Sequence, residues 1–296
     1  MEDRIILFKY ENMSVFGVFD GHSGSQVSTF LKNIFYILIV ERIYPVIDRD
    51  ENIIKNVVSD LFCQIDSEIN RKGMLGGSTA LILILTNERY ICINLGDSRC
   101  ILSRKNPNNS PELFLNYNNK KLVQPYHSPR TDHFYRKYCK KEESLCIPLS
   151  FDHKPETELQ RIIAAGGDVS KNRILFGNNY ISMSRSFGDF TFKQNPNLSQ
   201  QDQMVSCIPE IIVKEIDNND DFIVLATDGL FDVMSNNNVI SYITQNFQKS
   251  KDLNRILVDI VHKSINTLTT TDNVSVIILK LFVNNKITED RKGTEI

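Results

Sequence analysis

Four aspartates stand where apolar, strand-like runs stop or start: Asp20 after residues 15–19, Asp97 just beyond 90–95, Asp228 after 222–226 and Asp272 ahead of 274–279. Carboxylates crowded at strand ends repel one another and resist burial unless a cation compensates them, so this placement points to one acidic, ion-binding pocket. Oxygen donors suit hard, octahedral cations, whereas the six cysteines and five histidines form no cluster of the kind zinc requires.

The elements that must position these residues are readable from periodicity. Residues 5–8 and 15–19 predict a hairpin turning at Glu11 and Asn12, and 79–85 with 90–95 a second antiparallel pair turning at 86–88. Ile54, Val58, Leu61, Phe62, Ile65 and Ile69 repeat at helical spacing and stop at Gly73; residues 253–268 do the same. Residues 34–40 predict a buried helix, 156–165 a short helix opened by Pro155 and closed by Gly166 and Gly167, and 179–183, 211–216 and 274–282 further strands. Strands joined mostly by turns, with helices alongside, predict an α+β fold of largely antiparallel sheets with helices packed outside. Antiparallel neighbours would then carry all four aspartates to one sheet edge. Between 104 and 148 the periodicity gives way to Asn, Lys and Pro, which predicts a low-complexity insertion within a single domain of residues 1–283, and 284–296 predicts a polar tail.

Composition narrows the function classes. The 296 residues carry 34 Lys plus Arg against 36 Asp plus Glu, a net charge of −2, so no basic field exists to draw nucleic acid or an anionic membrane. The apolar stretch at 34–40 is too short to cross a bilayer. Cysteines without a CxxC pair predict reduced thiols, hence a cytoplasmic or nuclear setting, and nothing predicts a state beyond the monomer.

Several motifs in order resemble the metal-dependent protein phosphatase family, the PPM or PP2C-type serine/threonine phosphatases. Phe19-Asp20-Gly21-His22-Ser23-Gly24 is similar to the family's F-D-G-H-G-G, Gly77-Ser78-Thr79-Ala80 to its G-S-T-A, and Asn94-Leu95-Gly96-Asp97-Ser98-Arg99 to its N-x-G-D-S-R. Asp152-His153-Lys154-Pro155, then Ser184-Arg185-Ser186-Phe187-Gly188-Asp189, Ala226-Thr227-Asp228-Gly229 with Asp232, and Asp272-Asn273 complete the set. The resemblance implies a central β-sandwich flanked by helices in four αββα layers, two Mg²⁺ or Mn²⁺ ions with room for a third, and phosphorylated proteins as substrates. It also implies roles: Asp20 bridging the ions, the Gly21 carbonyl on one, Asp228 and Asp272 on the other, Glu2 as an acidic ligand, Asp3 acting through water, and Asp97 and Asp232 supporting a third ion.

Paired ions would turn a bridging water into the base that attacks a phosphoserine or phosphothreonine phosphorus, with His22 as general acid for the leaving oxygen. Arg185 reads as a structural ion-pair partner. A cysteine phosphatase is excluded, because none of the cysteines is followed six positions on by the arginine that chemistry needs.

The pattern departs from the family at its start. The family's M-E-D falls at Met1, Glu2 and Asp3, so the basic phosphate-binding residue four positions before the acid has no counterpart in this sequence. Arg4, on the strand face of Glu2 but one residue pair beyond it in the wrong direction, is a candidate for partial substitution. Loss of a bidentate guanidinium predicts weakened activity, ~2 to 3 kcal/mol in kcat/KM, and an N-terminally extended form would be the more active. A non-catalytic pseudophosphatase that binds phosphoproteins on the same scaffold is the alternative.

Overall fold

The computed structural model describes residues 1–105 and 144–281. The core of the expected insertion, 106–143, and the expected tail lie outside the described residues.

Strands β1 (Arg4–Tyr10), β2 (Met13–Phe19), β5 (Ala80–Leu85), β6 (Arg89–Leu95) and β13 (Glu210–Glu215) form an antiparallel sheet in the order β1-β2-β5-β6-β13. A second sheet runs β15-β14-β7-β8, from β7 (Arg99–Lys105), β8 (Ser144–Pro148), β14 (Asp220–Ala226) and β15 (Val276–Lys280). The two sheets face each other. Alternate residues of β5 show why: Leu81 and Leu83 enter an inter-sheet core with Cys92, Leu102, Ile223 and Leu225, while Ala80, Ile82 and Ile84 point to the opposite face. Strands buried on both faces are apolar at every position rather than at every second one.

Helices close the outer faces. Helices α1 (Gln26–Leu38) and α2 (Glu51–Arg71) place Leu31, Phe35, Ile54, Val58 and Phe62 on the first sheet. Helices α5 (Asn236–Ser250) and α6 (Leu253–Asn266) place Val239, Ile243, Ile256 and Ile260 on the second. The result is four layers, helix-sheet-sheet-helix. Helix α2 is capped by Asp50, whose carboxylate accepts the Asn52 N–H at 2.8 Å, and it ends at Gly73 with φ of +62°.

The structure corrects several expectations. Residues 34–40 are helical but not buried all round: Phe35 and Ile39 face the core while Tyr36 and Ile37 are exposed, and α1 continues as a π-turn over Ile39–Ile43. Ser144–Pro148, assigned to the insertion, is a strand paired with β7. Residues 156–165 are a 3₁₀ turn, Pro155–Glu158, running into the short α3, Leu159–Ala164. Helix α5 was not expected; its first turn is three asparagines, and its apolar stripe starts only at Val239.

Beyond α3 a small antiparallel sheet, β9 (Asp168–Ser170), β10 (Arg173–Phe176) and β11 (Asn179–Ile181), packs Ile174 and Ile181 on Ile162, Met204 and Val205 as a separate satellite core. A minor sheet of three two-residue strands, β12-β4-β3, joins β3 (Gly21–His22), β4 (Gly77–Ser78) and β12 (Phe187–Gly188). An aromatic cluster anchors it. Phe187 lies 4.9 Å from Phe62, and Phe35 sits 5.8 Å from Phe62 and 5.2 Å from Phe19, centroid to centroid. These buried rings tie α1, α2 and β2 to the segment that precedes Asp189, each truncation to Ala costing about 3–5 kcal/mol.

Candidate active site

Asp20 and Asp97 follow parallel strands of the first sheet, while Asp228 follows β14 and Asp272 precedes β15 in the second. The four therefore share one end of the sandwich, not one sheet edge, and the pocket is built by two sheets presenting their strand ends together. Each aspartate is set by local backbone bonds. The Asp20 N–H donates to Thr79 Oγ1 at 3.1 Å and its carbonyl accepts the Thr79 N–H at 2.9 Å. Asp228 opens the short helix α4 (Asp228–Phe231), whose preceding Thr227 exchanges bonds with Ser275 across β14 and β15.

The N-terminal residues fold into the same place. The Glu2 N–H donates to Asn273 Oδ1 at 3.0 Å, the Glu2 carbonyl accepts the Ser28 hydroxyl at 2.6 Å, and Glu2 Oε1 accepts the Gly24 N–H at 2.8 Å. Asp3 is buried and accepts the Ser275 hydroxyl at 2.7 Å. Gly21 is required here: a Cβ would stand 2.7 Å from both the Glu2 carbonyl oxygen and Ser28 Oγ.

Electrostatically the cluster is under strain. Burial, then the charges of Asp228, Asp3, Asp97 and Asp272, push the Asp20 carboxyl up to about 10. Burial, then Asp97 and Asp232, push Asp228 up to about 8 although Lys154 pulls the other way. Asp3 is raised by burial and by Asp272 against its hydroxyl partners. Asp3 Oδ1, Asp97 Oδ1 and Asp228 Oδ1 are buried acceptors without a hydrogen-bond partner among the described residues. Asp272 is exposed at the mouth, its Oδ1 accepting the Asn273 N–H, and Asp232 is exposed at the rim. Among the described residues no three His, Cys, Asp or Glu side chains stand close enough to form a ready-made ion cage; mutual repulsion keeps uncompensated carboxylates apart.

Two participants escaped the sequence reading. Lys154 Nζ reaches Asp97 Oδ2 at 2.5 Å and is the cation of the pocket, held charged by Asp97, Asp152 and Asp228 against its burial. Nothing in the run Asp152-His153-Lys154-Pro155 distinguishes that lysine from a solvated one. Asp189 reads in sequence as a turn anchor, yet its Oδ2 accepts from His22 Nε2 at 2.8 Å and from the Ser186 hydroxyl. Burial works to lower the His22 pKa, but Asp189, Asp97 and Glu2 together raise it above its ordinary value. His22 Nδ1 is buried and has no hydrogen-bond partner among the described residues. The bridge passes over Gly77, where a Cβ would collide with Asp189 Oδ2 and lie 2.5 Å from His22 Nε2, so the glycine leaves room for the contact.

The remaining candidates are structural. Arg185 donates from Nε to Glu158 Oε1 at 2.9 Å and from Nη1 to the Ile208 carbonyl at 2.9 Å, as an ion-pair partner should. Arg4, the candidate partial substitute, is engaged locally: its guanidinium donates to Thr29 Oγ1 and to the carbonyls of Met1 and Asp3. His153 is wholly internal, its Nδ1 accepting the Gly96 N–H at 3.0 Å, and burial followed by the Arg185 charge depresses it to about 3. No described helix is long and apolar enough to cross a membrane.

Comparison with known proteins identifies the family and the fold. The chain is 28% identical over 273 residues to the probable protein phosphatase 2C 21 of rice, covering 81% of this chain and 67% of that one. It is 28% identical over 292 residues to protein phosphatase 2C homolog 2 of Aspergillus fumigatus, covering 95% of this chain and 57% of the other. Among solved structures, serine-threonine phosphatase 2C from Toxoplasma gondii superposes with a TM-score of 0.68 at 21% identity, over 94% of this chain and 90% of its own. A sex-determining protein of C. elegans gives a TM-score of 0.66 at 21% identity, over 94% and 61%; at such identity these two speak for the fold. The profile of the protein phosphatase 2C family matches residues 1–122 and 139–274, most of the sequence, and the chain belongs to that family.

Proposed function

We propose that this protein is a Mg²⁺- or Mn²⁺-dependent protein serine/threonine phosphatase. The observation that carries the reading is a cluster of buried and half-buried carboxylates that outnumber their one lysine partner: Asp20 and Asp228 bear raised proton affinities, and Asp3, Asp97 and Asp228 each leave a buried oxygen unpartnered among the described residues. All-oxygen donors short of positive charge fit hard divalent ions. Asp20, Asp228, Asp272 and the Gly21 carbonyl would hold two ions, with Glu2 and Asp3 supporting them from the N-terminal side; Asp97 and Asp232 would support a weaker third ion, in competition with the Lys154 ammonium already on Asp97. Bound there, such ions neutralise phosphate charge and lower the pKa of water toward neutrality.

The rest is done by the chain itself. His22 gives up a proton to the departing serine or threonine oxygen, a contribution of ~10² to 10⁴ in rate. Asp189 holds the ring through Nε2 and raises its proton affinity against burial. Lys154 adds fixed positive charge beside Asp97. Substrates are phosphorylated proteins.

Phosphate release from a phosphothreonine peptide with Mn²⁺ tests the reading. Turnover should vanish with EDTA and fall at least about a thousandfold, ~4 kcal/mol, in Asp228→Asn. Absence of any Mn²⁺-dependent turnover in the folded protein would leave a phosphoprotein-binding scaffold in its place; the commitment of Arg4 to backbone carbonyls and Thr29 is the one feature on that side.

A further inference from the structure

Cys63 on α2 and Cys207, just ahead of β13, bring their sulfurs within 3.9 Å of each other although 144 residues separate them in sequence. Cys63 is half-buried and opens into a surface cleft of about 320 Å³ lined by Gln64, Ser67, Arg71 and Gln200; Cys207 lies fully buried behind it. One sulfur is thus reachable from solvent, and the other is reachable only from the first. We propose that Cys63 and Cys207 form a reversible oxidation site, with a hydroperoxide as the oxidant and an intramolecular disulfide as the product.

The chemistry balances in two steps. The Cys63 sulfur attacks the peroxide, an S–O bond forms as the O–O bond breaks, and water or an alcohol leaves with Cys63 as a sulfenic acid. The Cys207 sulfur then attacks Cys63, the S–S bond forms as the S–O bond breaks, and water departs with the Cys207 proton; the peroxide gains the two electrons the thiols lose. The environments suit these parts. The Cys207 S–H donates to Cys63, which lowers the Cys63 pKa against its burial and the nearby Asp66 and Asp60, whereas Cys207 is raised by that same bond and by burial. A low-pKa, accessible thiol is the one that oxidises, and a protonated neighbour is the one that resolves it.

Closing 3.9 Å to a bond of ~2.05 Å asks for side-chain rotation and a small shift on segments that are otherwise pinned. Ser206 bonds Ser184 and Ser186 through the backbone, and the Ile208 carbonyl accepts from Arg185. On the other side Asp66, one turn beyond Cys63, accepts from Lys193 Nζ and from the Gly188 N–H at 2.8 Å. Both sulfur-bearing segments therefore brace residues 186–189, which carry the partner of His22. The other adjacent thiols, Cys92 and Cys100, are sealed between the two sheets and provide an internal control.

The test is peptide mapping of the full chain after treatment with a few equivalents of hydrogen peroxide and alkylation of the remaining thiols. The expected result is loss of both free thiols together, a Cys63 peptide joined to a Cys207 peptide, and their return on adding dithiothreitol, with Cys92 and Cys100 alkylated only after unfolding. In Cys207→Ser the Cys63 sulfenic acid should persist long enough to be trapped by dimedone, and in Cys63→Ser neither product should form. Alkylation of both Cys63 and Cys207 in oxidised wild-type protein, or a crosslink from Cys63 to any other cysteine, would overturn the proposal. The wild-type map decides this even if a variant fails to fold.

Discussion

Glu158 and Asp20 are both half-buried acids, and burial alone would raise both, yet they end at opposite extremes. Glu158 is held at about 2 because Arg185 and Arg161 donate into it and Ser184 Oγ lies 2.6 Å from Oε2. Asp20 is pushed to about 10 because its neighbours are Asp228, Asp3, Asp97 and Asp272. The chain supplies two arginines to the carboxylate that ties α3 to the 184–185 segment, but at the sandwich end it sets Lys154, paired with Asp97, against several carboxylates. A satisfied charge cluster stabilises structure; an unsatisfied one is a vacancy for a ligand. His153 and His22 repeat the contrast, one depressed to about 3 inside the fold and the other raised by neighbouring acids.

That contrast can be broken from its structural side with the largest effect. Glu158→Gln leaves Arg185 and Arg161 without their countercharge and should cost ~3 to 5 kcal/mol in urea unfolding. A loss under ~1 kcal/mol would mean that Glu158 is as dispensable as a surface acid. Next in size, Asp189→Asn should lower kcat on a phosphothreonine peptide about thirtyfold, ~2 kcal/mol, while p-nitrophenyl phosphate, whose leaving group needs no proton, loses much less. Because the Asp189 charge raises His22, the alkaline limb of the kcat profile should also move to lower pH in this variant. Equal losses on both substrates would assign Asp189 to folding alone.

Smaller effects sharpen the other side. In EDTA-treated protein at pH 8, Asp228→Asn removes a repelled charge and should stabilise by about 1 kcal/mol, the reverse of the Glu158 variant. The pH dependence has a definite sign. A folded pKa above the unfolded one means that the native state binds the extra proton, so the Asp20 and Asp228 contributions are complete below about 3.8 and are lost as pH rises through about 8 and about 10. Stripped of divalent ions, the protein should melt at progressively lower temperature from pH 6 to pH 9, and Mn²⁺ should restore the melt most at the alkaline end. A flat profile would sink the assignment of those two raised groups.

What the sequence disclosed follows the range of the interactions. The hairpin of β1 and β2, the stripe of α2 and the aspartates at strand ends are local patterns, so they could be read directly. The end of β2 and the end of β14 lie in different sheets, which no local pattern distinguishes from neighbours in one sheet; hence the expected single edge became a shared end. Asp189 meets His22 across 167 residues, and Lys154 meets Asp97 across 57. Neither pairing leaves a spacing to find. Helix α5 hides behind Asn236, Asn237 and Asn238, poor helix formers that are tolerated because Ser235 caps the turn they begin.

Because burial and mutual repulsion raise the proton affinity of Asp20 and Asp228, the mouth of this sandwich would behave as an exchanger if it takes the proposed ions. Each ion that entered would expel hydrogen ions into the buffer, so the heat of loading would vary with the ionisation enthalpy of that buffer, and mild acidification would unload the pocket before it loosened the sheets that frame it.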